Sequence, residues 1–183
     1  MSIPTALGRA LRFTLLLWLL TVVVITLPLL GVAHLMAPAA AAGSLLRRDG
    51  VVVGSRLIGQ PVRAARYLWG RPAGEAHLAA TSPELARRVE AAAKAWTAAG
   101  ITRPAADLLQ ASASGVDPHI RLEAARQQLP RLARERGLTL GQLERLLRQH
   151  QEGPQTLRAI EAVVNVLTFN LALDALNAPA PRQ

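Results

Sequence analysis

Residues 111–120 read ASASGVDPHI, placing two serines, an aspartate and a histidine within ten positions, beside a glycine and a proline. Those side chains serve acyl-transfer triads, metal centres and phosphate-binding loops, and each of these chemistries imposes a spacing. A nucleophile elbow presents Gly-x-Ser-x-Gly on a sharp strand-to-helix turn, whereas the order here is Ser112-Ala113-Ser114-Gly115. A hydrolase would have to use Ser112 or Ser114 with His119 as its base, and Asp117 and His119 stand too close in sequence to be assumed partners. A phosphate loop needs Gly-x-x-x-x-Gly-Lys-Ser/Thr, and the chain's single lysine is Lys94. Asp117 and His119 could ligate a metal, but His34, His77 and His150 are dispersed without ligand spacing. A structural reading needs no distant partner. Gly115 supplies a positive φ, Asp117 caps a helix, Pro118 takes its first position, and the serines bond nearby amides. The residues therefore favour a built loop, with no catalytic group and no metal assigned.

Several elements are expected to position that loop. Asp49-Gly50 between two apolar runs predicts a type I′ hairpin, with strands near 44–48 and 51–58. Residues 59–74 are punctuated by Gly and Pro and read as irregular structure pinned by Tyr67 and Trp69. A helix is expected from Ser82, with its hydroxyl as cap and Pro83 at the first position, to Ala99 before Gly100. Leu108 to Gln110 reads as extended. A second helix is expected after Pro118 as far as Arg136, split or kinked at Pro130, with Gly137 beyond its end. Thr139-x-x-Gln142 is a capping box for a third helix whose face carries Leu140, Leu143, Leu146 and Leu147. Leu157 to Leu176 fits helical spacing, although Val163–Leu167 is locally strand-like through its β-branching. Residues 178–183 read as a frayed tail.

Ahead of all this lies FTLLLWLLTVVVITLPLLG, residues 13–31, without a charge. A bilayer core takes about 20 apolar residues as helix, and a cleavable signal core is only about 7–15 long. A retained transmembrane helix over 13–36 is expected, despite the small-residue stretches Ala37-Pro38-Ala39 and Ala40–Ala42 that resemble cleavage sites. Thr14, Thr21 and Thr26 can return their hydroxyls to the helix, and Pro28 is tolerable there. Arg9 and Arg12 precede the span, and no basic residue follows it until Arg47. The positive-inside rule then puts residues 1–12 in the cytoplasm, 37–44 as a linker, and 45–177 outside. Formal charge is +9, which raises nucleic acid as a partner. The arginines are scattered rather than clustered, and stacking aromatics are almost lacking, so that class is set aside. With no cysteine, disulfides, thiolate zinc and thiol nucleophiles are all excluded. The fold class is α+β: one membrane helix, then a small mixed domain of hairpin strands followed mainly by helices.

A series of short motifs runs along the chain: the N-terminal span, Gly43-Ser44-Leu45-Leu46, Val53 to Gln60, Tyr67-Leu68-Trp69-Gly70-Arg71-Pro72 and Ala111 to Ile120. It continues through Leu129-Pro130-Arg131, Arg136-Gly137-Leu138, Val164-Asn165-Val166-Leu167 and Asn170 to Asp174. In order and spacing the series resembles a known family, the C subunit of the Kdp high-affinity potassium-transporting P-type ATPase. Two departures stand out. The family's serine- and glycine-rich insertion after Gly-Arg-Pro is reduced here to a short Ala-rich connection, so no role given to it carries over. Arg121-Leu122 replaces the family's Ser-Pro after Asp-Pro-His-Ile, which leaves Asp117-Pro118 as the expected helix start. The resemblance implies a non-catalytic subunit of a bacterial inner-membrane complex. Its partners would be a potassium-conducting channel-like subunit, an ATP-hydrolysing P-type subunit and the lipid bilayer. It implies assembly and a raised ATP affinity, with no firmly bound cofactor and ATP met only in a ternary complex with the hydrolysing subunit. The topology argument makes any such effect indirect. Ser112, Ser114, Gly115, Asp117, Pro118, His119, Gly70, Arg71, Pro72, Asn165 and Asn170 become the candidate interface residues.

Overall fold

A computed structural model of the protein describes residues 3–74, 77–153 and 162–176. Two compact units divide the chain, Met1–Leu45 and Leu46–Gln183. The first is dominated by a helix, α1 (Ile3–Leu20), that passes through a wider π turn (Thr21–Thr26) into α2 (Leu27–Met36). Its apolar length suffices to cross a bilayer. The helix begins ten residues ahead of Phe13, so the expected span lies inside a longer rod. Pro28 explains the widening. Proline has no N–H to return to the preceding turn, and just before it the Leu27 amide bonds Val22 O, five residues back. Thr21 Oγ1 donates to Leu17 O (2.8 Å) and Thr26 Oγ1 to Thr21 O (3.4 Å), as expected of hydroxyls in an apolar setting. The small-residue stretch that follows forms a single turn, α3 (Pro38–Ala41).

The second unit opens with a hairpin of β1 (Leu45–Arg48) and β2 (Val51–Ser55). Asp49 (φ 51°) and Gly50 (φ 78°) both take the positive φ that a type I′ turn requires. The second strand stops at Ser55, three residues earlier than expected, because Ser55 Oγ accepts the Leu57 amide and turns the chain (3.1 Å). After the irregular segment comes α4 (Pro83–Ala98), with Pro83 in its first turn and Gly100 beyond its end at φ 90°. Ser82 occupies the cap position, but its hydroxyl makes no capping bond. Residues expected to be extended instead form one helical turn, α5 (Ala106–Leu109), where Leu108 is fully buried and its carbonyl accepts Trp96 Nε1 (2.9 Å).

The larger correction concerns residues 118–126. No helix begins at Pro118. His119–Arg121 is a strand, β3, and α6 starts only at Leu122 (Leu122–Arg126). Proline's fixed φ suits an extended run as well as a first helical turn, and tertiary pairing decides between them. The chain then breaks at Gln127-Gln128 before α7 (Leu129–Arg136), which holds Pro130 in its first turn and ends on left-handed Gly137, as expected. The capping box that starts α8 (Leu140–Gln149) is present in both directions. Leu143, Leu146 and Leu147 are buried, but Leu140 is half exposed and lies off the packed face.

After β4 (Gln151–Glu152), the expected long terminal helix is shortened. Val163–Asn165 forms β5, the centre of an antiparallel sheet ordered β3-β5-β4, and α9 runs over Val166–Leu176. The β-branched run takes the strand because two partners flank it, with His119 opposite Asn165, Ile120 opposite Val164 and Glu152 opposite Val163. Leu157, Ile160 and the tail 178–183 lie outside the described residues. Leu68, Ile120, Leu132, Leu143, Leu147, Val164, Phe169 and Leu173 are fully buried and join helices to sheet. The class is α+β.

Candidate functional site

The loop over residues 111–118 is held almost wholly by its own polar groups. Gly115 takes φ 73°, and its amide donates to Ser112 O (2.9 Å). Ser112 Oγ accepts the Asp117 amide (3.1 Å), Ser114 Oγ accepts the Val116 amide (3.3 Å), and the two hydroxyls lie 3.3 Å apart. Asp117 does cap, but not a helix: its Oδ1 accepts the amide of His119, the first residue of β3 (2.9 Å). Pro118 O accepts the Val166 amide (3.0 Å), tying the loop to the start of α9. Gly59 approaches so closely that a methyl group there would lie 2.6 Å from Asp117 O, and its amide donates to Val116 O (2.7 Å).

Around this frame stands a network of alternating charge. His119 Nδ1 lies 3.1 Å from Asp117 Oδ1, and Nε2 lies 3.4 Å from Glu152 Oε2 and 3.5 Å from Asn165 Nδ2. Arg56 bonds the other oxygen of Glu152 (2.8 Å), and Asn165 Nδ2 donates to Arg56 O (2.8 Å). Arg71 bonds buried Asp107 (2.8 Å), reaches Asp117 at 4.0 Å, and donates from Nε to His119 O (3.3 Å). Asp107 in turn accepts the Arg121 amide (2.7 Å). The histidine nitrogens thus meet carboxylates and an amide, not Ser112 or Ser114, so the serine–histidine pair of a hydrolase is not assembled. Among the described residues no three His, Asp or Glu side chains converge as metal ligands. A cleft of about 50 Å³ runs between Gln60, Gly70-Arg71-Pro72 and Asp117, beside a hollow of about 130 Å³ whose walls include Trp69 and Trp96.

Of the sequence-derived candidates, Ser112, Ser114, Gly115, Asp117, Pro118, His119, Asn165 and the Gly70-Arg71-Pro72 run gather here. Asn170 lies elsewhere, on α9. Its amide accepts the Leu68 N–H (2.8 Å) and donates to Leu68 O (2.9 Å). Gln128 treats Trp69 identically, at 2.9 Å in each direction. Two side-chain amides therefore replace the missing neighbour strand of an extended segment. Gln128 escaped sequence reading, as did Asp107 and Glu152, because none belongs to a local motif. A second charged group also went unread. Asp174 accepts from Arg136 (2.8 Å), Tyr67 (2.9 Å) and Arg48. Arg131 stacks its guanidinium 4.3 Å from the Trp69 ring centre, and burial drags its pKa down to about 10, leaving it charged at neutral pH.

These features define a class: a small α+β unit carried behind one helix of bilayer-spanning length, with its most reactive side chains bonded to one another. The family model described as the c chain of the K+-transporting ATPase matches residues 7–175. The chain is 45% identical to the potassium-transporting ATPase KdpC subunit of Methylibium petroleiphilum, over 93% of this chain and 97% of that one. It is 44% identical to that of Sorangium cellulosum (80% and 86%) and 39% identical to that of a Synechocystis species (90% and 95%). The chain belongs to the KdpC family.

Proposed function

We propose that this chain is the single-span, non-catalytic subunit of an ATP-driven, high-affinity potassium uptake complex in a bacterial inner membrane. The N-terminus faces the cytoplasm and the α+β unit lies outside, since Arg9 and Arg12 flank the near end of the span. The chain assembles and stabilises a potassium-conducting channel-like subunit with an ATP-hydrolysing P-type subunit. It raises the ATP affinity of the latter without touching nucleotide, by favouring one conformational state of the complex. The observation that carries the reading is a family match running through both the apolar helix and the α+β unit. It is supported by a polar loop whose serine hydroxyls accept backbone amides and whose Asp117 carboxylate is bonded to His119.

The test is purification of the tagged chain from its own membrane. A large ATPase subunit and a channel-like subunit should accompany it, and their potassium-stimulated ATP hydrolysis at low ATP should fall when the chain is deleted. Intact hydrolysis without the chain rejects the role. A reporter fused after Gln183 that is active only in the cytoplasm rejects the topology.

A further inference from the structure

We infer that the π turn of the apolar helix is a docking site for a helix of another membrane protein, one that presents a hydroxyl or amide donor to the Val23 carbonyl. The inference rests on the membrane-crossing reading and adds the chemistry by which the span recognises a partner. The acceptor is left over by the backbone ladder. In an α register Val23 O would accept from Leu27, but that amide bonds Val22 O instead. In the π register it would accept from residue 28, which is proline and has no N–H. Thr21 and Thr26 do not replace the missing donor, since their hydroxyls go to Leu17 O and Thr21 O. Among the described residues, neither register and neither hydroxyl supplies Val23 O.

Depth makes that carbonyl matter. Val23 stands ten residues after Phe13 and eight before Gly31, within a stretch that carries no charge. At ~1.5 Å per residue, about 12 to 15 Å of apolar helix separates it from either end. A backbone carbonyl left bare in hydrocarbon is strongly disfavoured, and proline persists in such helices where a neighbour satisfies the freed group. Acyl chains carry no donor. A parallel second copy brings none to that depth, because its two nearby hydroxyls are already donated and the Trp18 indole lies five residues away. Gly31 gives another helix room. It follows Pro28 by three residues, on the same side of α2, and nothing lies within 4 Å of where a methyl group on it would sit. Small residues so placed let helix backbones come close enough for a side-chain donor to cross between them.

The test uses the full chain, tagged, in its own membrane. A photo-crosslinking p-benzoylphenylalanine in place of Val24 should capture a membrane-spanning peptide with Ser, Thr, Asn or Gln within about one turn of the linked position. Capture of lipid alone, of a second copy of this chain or of a span without such a residue overturns the site. Pro28→Ala restores an N–H, so the helix supplies its own donor. It should leave insertion intact and lower the partner retained through a detergent wash about three- to tenfold. Leu30→Ala, on the opposite side of α2, should leave retention unchanged, and an equal loss there overturns the site. Replacing the partner's donor by an apolar residue of similar size should weaken retention as Pro28→Ala does. The two changes together should cost no more than either alone. Losses that multiply show that Pro28 acts through helix shape and overturn the site, as does full retention by Pro28→Ala. In those cases a partner still accompanies the unsubstituted chain and the subunit reading stands. If no membrane protein accompanies that chain, both fall.

Discussion

Asp174 takes hydrogen bonds from Arg136, Tyr67 and Arg48, and its titration follows from that company. Burial pushes the carboxyl up, but the bonds from Arg136 and Tyr67 and the charges of Arg136 and Arg48 outweigh it, holding the pKa below the usual range. A carboxyl lowered on folding adds stability that is complete above its unfolded value, about 3.9. That stability disappears as pH falls through the folded value. The denaturant midpoint should therefore drop below pH ~4, with a shallower acid limb in Asp174→Asn. The same substitution should cost about 1–3 kcal/mol at neutral pH, because it weakens charge-assisted bonds to Arg136, whose side chain is 4% exposed. Identical acid limbs in the two proteins would refute the assignment. Gly59 gives a second test at this scale. A methyl group there meets Asp117 O at 2.6 Å, so the loop must move. Gly59→Ala should lower stability by about 1–3 kcal/mol, as overpacking does, and Gly141→Ala, where the nearest atom is a side-chain nitrogen 3.9 Å away, should not.

Among the elements, the Leu68-Trp69 segment depends on two side-chain amides, Asn170 on α9 and Gln128 just before α7. Removing either leaves a backbone donor and acceptor unpaired, buried at Leu68 and half-buried at Trp69, at about 1–3 kcal/mol for each buried orphaned group. Asn170→Ala and Gln128→Ala should each lower the urea midpoint by the equivalent of more than about 2 kcal/mol, while Thr139→Ala, losing one exposed cap, should cost about 1 kcal/mol. A midpoint shift no larger than that of Thr139→Ala would show that the amides do not hold the segment. The contrast also explains what could be read from sequence. The Asp49-Gly50 turn, the Thr139 capping box and the Gly137 terminus each satisfy their polar groups within a few residues, and all three were legible. The three-residue strand His119–Arg121 exists only through Val163–Asn165, more than 40 positions away, and Val163–Asn165 needs that partner as well as Gln151-Glu152. Local chemistry at Asp117-Pro118 therefore favoured a helix that pairing overruled. Asp117 and His119 could be singled out as a site, but Asp107, Gln128 and Glu152 reach it from places with no motif.

For the whole molecule, the count of 21 basic residues overstates the bare cations a polyanion would meet. Arg48, Arg56, Arg71, Arg87, Arg88, Lys94, Arg126, Arg136 and Arg148 all stand within ion-pair distance of a carboxylate. Fluorescence anisotropy with a short DNA duplex should show no binding tighter than about 100 µM at 0.15 M salt, the weak end of non-specific affinity. A micromolar complex that dissolves as salt rises would contradict this. The two side-chain amides also govern the order in which the protein can be made. A chain emerging from its N-terminus delivers Leu68 long before Asn170, 102 residues later. The central strand, Val163–Asn165, likewise arrives after both of its neighbours and most of the core. Contacts of such separation cannot form until the later partner has left the ribosome. The apolar helix thus leaves the ribosome well before the unit behind it can close.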